Sequence, residues 1–350
     1  MRTKSFPFAF ATSILFAFGT HFTSAEETWS FSLNRNHVAP VTALEEAVAL
    51  LPKSPNPLVS AGEMDMFKKF AAHDYKSISE TDVILNVADI RSDESRRHYA
   101  AQLDDITAGA RRAIASGKTD DEIAGLLGKF LLEHPLHGGG DGGQCEMKVL
   151  LDKGTYNCVS SATLYNLIAN RLGLHTRCVT IPDHIFLTMG DLCIEPTSGT
   201  TQNKKDHDKA VVDKLWSVEA NNPFYKGIFG KTRSREHGNL GLFGGTYADR
   251  DLKYVAAHQY EQAAITSIKA LCLDIGDRSF AFESSTAIND WFLLTLKQKN
   301  YSKAQKIAEI HRQLFGDHSK ALSTKSPPPA KEPSLRTFSR LPEKLVIPTI

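Results

Sequence analysis

Apolar residues recur at helical spacing along most of the chain, with one compact region where the period shortens to that of strands. The stretch from Val41 to Leu51 carries Leu44, Val48 and Leu51 on one side, and short elements follow at Met64–Tyr75 and Val83–Ile90. Ser92–Ser116 and Thr119–His134 read as two amphipathic helices. The second opens on Thr119 with Glu122 three positions on, the signature of a capping box, and aligns Ile123, Leu126, Leu127, Phe130 and Leu131 as one stripe. A further helix is expected over VSSATLYNLIANRLG, where Val159, Ala162, Leu164, Tyr165, Ile168, Ala169 and Leu172 give an apolar face and Gly173 a stop. Beyond it, TRCVTI, HIFLTM and LCIEP are β-rich runs broken by Pro182-Asp183 and Gly190-Asp191, which reads as an antiparallel meander.

After Thr200 the chain turns lysine- and aspartate-rich and then runs through glycines to Tyr247, so a long irregular connection is expected there. Helical spacing returns over Tyr260–Leu273, Phe280–Lys297 and Ser302–Phe315. YEQAAITSIKALCLDIGD and YSKAQKIAEIHRQLFGD share a tyrosine, a following alanine and a terminal Gly-Asp, which resembles the second helix of tetratricopeptide units; an ordinary helical hairpin is the competing reading. The charged tail from Ser323, with Pro327-Pro328-Pro329, reads as disordered.

The N-terminus changes the picture of where the chain works. Arg2 and Lys4 precede an apolar run from Phe6 to Phe18, and Thr23-Ser24-Ala25 offers a cleavage site before Glu26, so residues 1–25 read as a signal peptide and the mature chain as exported, periplasmic or secreted. No later segment is apolar enough to span a membrane. The chain has 350 residues, 41% hydrophobic and 23% charged, and its net charge of +1 gives no electrostatic footprint for nucleic acid. Five cysteines, Cys145, Cys158, Cys178, Cys193 and Cys272, are an odd number, so at least one is left out of any pairing within the monomer. Cys178 and Cys193, on neighbouring expected strands, are candidates for a disulfide.

Candidate chemistry converges on Cys158. Thr155 or Asn157 can cap the helix that follows, which puts Cys158 in its first turn, where free backbone N–H groups and the helix dipole favour a thiolate. If Gly190-Asp191 forms the hairpin turn and Met189 pairs with Leu192, then Phe186 lies opposite Glu195. His184, Phe186, Cys193 and Glu195 then share one face, and Ile185, Leu187, Leu192 and Ile194 the core face. His184 and Glu195 become diagonal neighbours about 7 Å apart at the backbone, within reach of a glutamate side chain. A carboxylate there can orient the imidazole, which can take the Cys158 proton and return one to a leaving group. Oxyanion donors would be the Cys158 N–H, with Gln144 or Asn157 as side-chain candidates. His134, His137, Cys145 and His207 are a rival metal set, but no second tight ligand pair accompanies them, and no metal or cofactor is expected. The glycine run His137–Gln144 lacks the Lys-Ser/Thr ending of a phosphate loop and reads as a rim beside a cleft.

The stretch from about Leu150 to Thr200, with GTYNCVSSATLYNLIANRLGL, VTIPDHIF and IEPTSG, resembles the core of the transglutaminase-like superfamily. That resemblance implies an α+β, papain-like fold in which a cysteine-bearing helix packs on a small antiparallel sheet, flanked here by helical N-terminal and C-terminal regions. It also implies Cys158 as nucleophile, His184 as base and Glu195 as third member, where the superfamily usually has aspartate. Asp183 stands where related bacterial proteins more often have glycine. The expected organisation is a signal peptide at 1–25, a helical region at 26–135, the transglutaminase-like core at 136–250, tetratricopeptide-like helices at 251–322 and a tail at 323–350. The expected function is a thiol-dependent hydrolase or acyl transferase of the peptidase, amidase or transglutaminase type, acting on a protein or peptide substrate through an acyl-Cys158 intermediate. The alternative is a catalytically silent binding protein whose C-terminal helices recruit a protein partner.

Overall fold

The computed structural model describes residues 38–140, 144–181, 184–205 and 235–316. The expected signal peptide and tail, residues 141–143 of the glycine run, the Pro182-Asp183 turn and His207 lie outside these residues.

Helices α1 (Val38–Ala49), α2 (Ala61–Ala71), α3 (Glu80–Val87), α4 (Asp93–Ala113) and α5 (Asp120–Glu133) form the N-terminal part, and each of the last four starts on a hydroxyl cap. Ser60, Ser79, Ser92 and Thr119 each accept the N–H three residues on, the bond that satisfies an otherwise orphaned donor of the first turn. Strand β1 (Gly139–Gly140), helix α6 (Met147–Lys153), strand β2 (Thr155–Tyr156) and helix α7 (Cys158–Arg171) follow. β1 and β2 pair in parallel, Gly139 with Thr155 and Gly140 with Tyr156.

The meander is β3 (Arg177–Ile181), β4 (His184–Met189), β5 (Leu192–Glu195) and β6 (Thr200–Asn203), and β7 (Arg235–His237) joins its other edge. All neighbours are antiparallel, in the order β6-β5-β4-β3-β7. Met189 pairs with Leu192 and Leu187 with Ile194, the register that the Gly190-Asp191 turn predicts; Gly190 takes φ 59°. The two faces separate as alternation requires. Ile185, Leu187 and Ile194 enter the main core, while Phe186 and Cys193 join Val179 and Ile181 in a small second cluster.

Helix α7 is buried from Val159 to Ala169 and packs against β4, so it is a core helix, apolar or satisfied all round. Its polar residues have partners: the Tyr165 hydroxyl donates to the Ala124 carbonyl at 2.9 Å, and the Thr176 hydroxyl to Asn166 Oδ1 at 2.7 Å.

Three sequence expectations need correction. The stretch read as irregular up to Tyr247 contains a helix, α8 (Asn239–Ala256). Its glycines are contact points: a Cβ on Gly244 would stand 2.5 Å from Phe280 Cε2, and one on Gly245 3.5 Å from both Val159 and Ile185. Second, α8 runs through residue 250, where the core was expected to end, and one apolar cluster extends from Val41 to Phe315. Helices α9 (Tyr260–Leu273), α10 (Arg278–Lys297) and α11 (Tyr301–Phe315) are part of it, with α1 packed on α9 and α11. Third, Cys178 and Cys193 are not on adjacent strands. β4 lies between β3 and β5, the two side chains belong to different clusters, and no disulfide joins any two of the five cysteines.

Candidate active site

Helix α6 ends on Gly154, whose φ of 69° is the left-handed cap that suits glycine. A side chain there would also strike the Gly138 nitrogen at 2.8 Å, so glycine is required twice over. The turn delivers Tyr156, whose hydroxyl donates to the Thr197 carbonyl at 3.1 Å and ties the approach to the β5–β6 turn.

Asn157 is the N-cap of α7. Its Oδ1 accepts the Ser160 N–H at 2.9 Å, and its own N–H donates to Ser160 Oγ at 3.0 Å, so the capping box that begins the helix surrounds Cys158. Cys158 is therefore the first helical residue, half-buried, with no acidic residue in its turn to oppose the positive end of the dipole.

His184 opens β4 opposite Ile181, and its Nε2 lies 2.8 Å from Glu195 Oε2. The side chains are 28% and 17% exposed, partly shielded from water. Burial alone would lower the imidazole pKa, but hydrogen bonds to Cys158 and Glu195, and their charges, outweigh it and raise it to about 10. With Nε2 committed to Glu195, Nδ1 is the nitrogen left for the Cys158 sulfur. The Phe186 ring stacks beside His184, 6.5 Å between centroids at 23°, and limits the imidazole's rotation.

The structure brings Cys158, His184 and Glu195 together. Gln144 is held near the same helix turn, since Ser160 Oγ donates to its carbonyl at 3.0 Å, and its Oε1 accepts the Glu146 N–H at 2.7 Å. Asn157 does not suit the oxyanion role given it as a candidate, because Oδ1 caps the helix and Nδ2 donates to Asp249 Oδ2 at 2.7 Å, in a buried position. The backbone N–H of Cys158 has no intrahelical partner by its position and remains the candidate donor.

The described members of the rival metal set each have other partners. His134 and His137 each face a carbonyl, of Phe130 and His134 respectively, and Cys145 is buried against Lys253. Among the described residues no three His, Cys, Asp or Glu side chains form a group that could hold a metal.

Residues 97–228 match the family model of the transglutaminase-like superfamily. This transglutaminase-like segment contains Cys158, His184 and Glu195, and its described part comprises the cysteine-bearing helix and four strands of the antiparallel sheet. No curated protein and no solved structure matches the chain. Asp249, which holds the N-cap, lies beyond the matched segment and was missed in the sequence because glycines masked the spacing Phe243, Tyr247, Tyr254 of its helix.

Proposed function

We propose that the chain is an exported thiol-dependent hydrolase or acyl transferase that opens amide or thioester bonds of a protein or peptide substrate. One observation carries this reading: His184 bridges Glu195 and Cys158, with its charged form stabilised from both sides. In the first half-reaction the Cys158 sulfur attacks the carbonyl carbon and the C–N or C–S bond breaks. The imidazolium gives its proton to the departing amine or thiol. The deprotonated imidazole then takes a proton from water, which attacks the acyl-sulfur bond and releases the acid; an amine in place of water gives transfer. Glu195 keeps the ring oriented and supports its charge in each imidazolium stage.

Incubation of the protein with thioester and activated amide model substrates, followed by intact-mass measurement, should reveal an acyl adduct on Cys158 and turnover that Cys158→Ala abolishes. Iodoacetamide should modify Cys158 ahead of Cys272. The reading is lost if Cys158 is no more reactive than Cys272 and Cys158→Ala changes no acyl-transfer or hydrolytic rate.

A second reading, a catalytically silent binding protein that recruits a partner through tetratricopeptide-like C-terminal helices, is favoured by glutamate in the third position. Tyr260 and Tyr301, which head the two similar segments, begin α9 and α11 and support the repeat.

A further inference from the structure

We propose that Asp249, through Asn157, is a positioning residue of the thiol site, fixing the helix cap from which Cys158 faces His184. This rests on the thiol-site reading, and the residue lies outside the transglutaminase-like segment.

The geometry is a short relay. Asp249 Oδ2 accepts the Asn157 side-chain N–H at 2.7 Å, and the other end of that amide accepts the Ser160 N–H at 2.9 Å. Asn157 therefore has one orientation, and Cys158 is the next residue. The same face of α8 holds the other segment that reaches this turn. Arg250 makes a two-pronged ion pair with Glu146, at 2.9 and 2.5 Å, and donates to the Val87 carbonyl at 3.0 Å. Lys253 donates to Cys145 Sγ at 3.4 Å, and Gln144, before it, accepts the Ser160 hydroxyl. One stretch of helix thus braces both backbone segments that define the start of α7. A misplacement on the order of 1 Å at such a point lowers a rate about 100-fold.

A carboxylate is an expensive acceptor here. Burial pushes the Asp249 carboxyl up to about 6, against the opposing pull of Asn157 and Lys253. Glu146 from the segment before α6 adds to this rise, and Cys145 beside it and Glu283 from α10 also face Asp249, whose charge raises both of them. Any hydrogen-bond acceptor would fill space; an aligned one next to the cap fixes the amide.

The test uses the full chain and a double-mutant cycle with two readouts: the rate of Cys158 alkylation by iodoacetamide from pH 5 to 8, and hydrogen exchange of the Ser160 and Ser161 amides. Asp249→Leu should slow alkylation about tenfold or more and speed exchange of both amides. In an Asn157→Ser background, where a hydroxyl caps the helix and no amide needs holding, Asp249→Leu should do neither. Equal effects in both backgrounds, or none in either, would overturn the proposal, because a merely structural aspartate is indifferent to residue 157. Asp249→Asn keeps an acceptor, so it should hold the wild-type alkylation and exchange rates. Should Asp249→Leu not fold, Asp249→Ala in the same two backgrounds decides: equal effects in both, or none in either, overturn the proposal. An unreactive wild-type Cys158 removes the thiol-site reading instead, and the exchange data still judge the relay.

Discussion

Gly128 of α5 and Gly199 of the β5–β6 turn meet backbone to backbone: a Cβ on Gly128 would stand 2.9 Å from both the Cα and the carbonyl oxygen of Gly199. The turn they support is the one that leaves Glu195, whose carbonyl accepts the Ser198 and Gly199 N–H groups at 3.1 and 2.8 Å. An alanine at Gly128 gains helix propensity of roughly 1 kcal/mol but overpacks rigid backbone at a cost of about 1–3 kcal/mol. Gly199→Ala meets Leu132 at 2.7 Å and must also hold φ 65°. Both variants should have lower urea midpoints than wild type. Gly125→Ala, on the same helix with open space around it, should not.

The pH behaviour of His184 follows from its partners. Its folded pKa, about 10, lies above the ordinary value, so the imidazolium contributes stability that is complete below about 6.5 and lost as pH rises through the folded value. The general acid of the proposed reaction is lost as pH passes the folded value. Glu195→Gln keeps a hydrogen-bonding group and removes a charge, so it should move the alkaline limb of kcat/KM to lower pH and reduce kcat on the order of 100-fold. Cys158→Ala should lower the His184 pKa as well, read by NMR of the imidazole carbons. An unchanged imidazole titration in both variants would exclude the charge coupling.

Much of this site was legible in the sequence because its parts are local. The hairpin register follows from Gly190-Asp191 and the alternation around it, and the Cys158 helix start follows from Asn157 with Gly154 before it. What was not legible is what arrives from elsewhere in the chain. Asp249 and Arg250 act on residues 92 and 104 positions away, and only folding brings α8 to the cap. The helix itself was hidden because Gly241, Gly244 and Gly245 look like loop residues until their neighbours are known; at Gly244 the Phe280 ring fills the space that a side chain would take.

Asp251, two residues beyond the brace, predicts an acid-dependent gain. It is 2% exposed, and its Oδ1 has no hydrogen-bond partner among the described residues. Burial raises its pKa well above the ordinary range, and the nearby Asp290 adds to this; Glu283, which faces it, is raised in the same way. The folded state therefore prefers Asp251 neutral, and its contribution to stability is lost as pH rises above the ordinary carboxylate range. Asp251→Asn should be more stable than wild type at pH 7 by about 1–3 kcal/mol, with the difference shrinking toward pH 4. Urea titrations of both proteins at the two pH values measure it. A variant equally or less stable at pH 7 would contradict the neutral assignment.

The buried pair Glu63–Lys269 joins the N-terminal and C-terminal helices and tests whether these regions unfold together. Lys269 Nζ lies 2.9 Å from Glu63 Oε1, with side-chain exposures of 5% and 1%. The Tyr247 hydroxyl and the Ser60 N–H donate to the same carboxylate, at 2.8 and 2.9 Å. Burial opposes the charge on Glu63, but the Lys269 ammonium and these donors hold its pKa below the ordinary value. Lys269→Met leaves a carboxylate without its counterion and should cost about 3–5 kcal/mol, little changed by salt because water and ions do not reach the pair. Glu63→Gln/Lys269→Met keeps an acceptor for Tyr247 and removes both charges, so it should be more stable than Lys269→Met alone. Unfolding followed by fluorescence and by exchange of amides in α2 and α9 should give coincident transitions for wild type. A first transition confined to α9–α11 would show that the C-terminal helices are a separate unit, and would assign the pair to an interface between two cores.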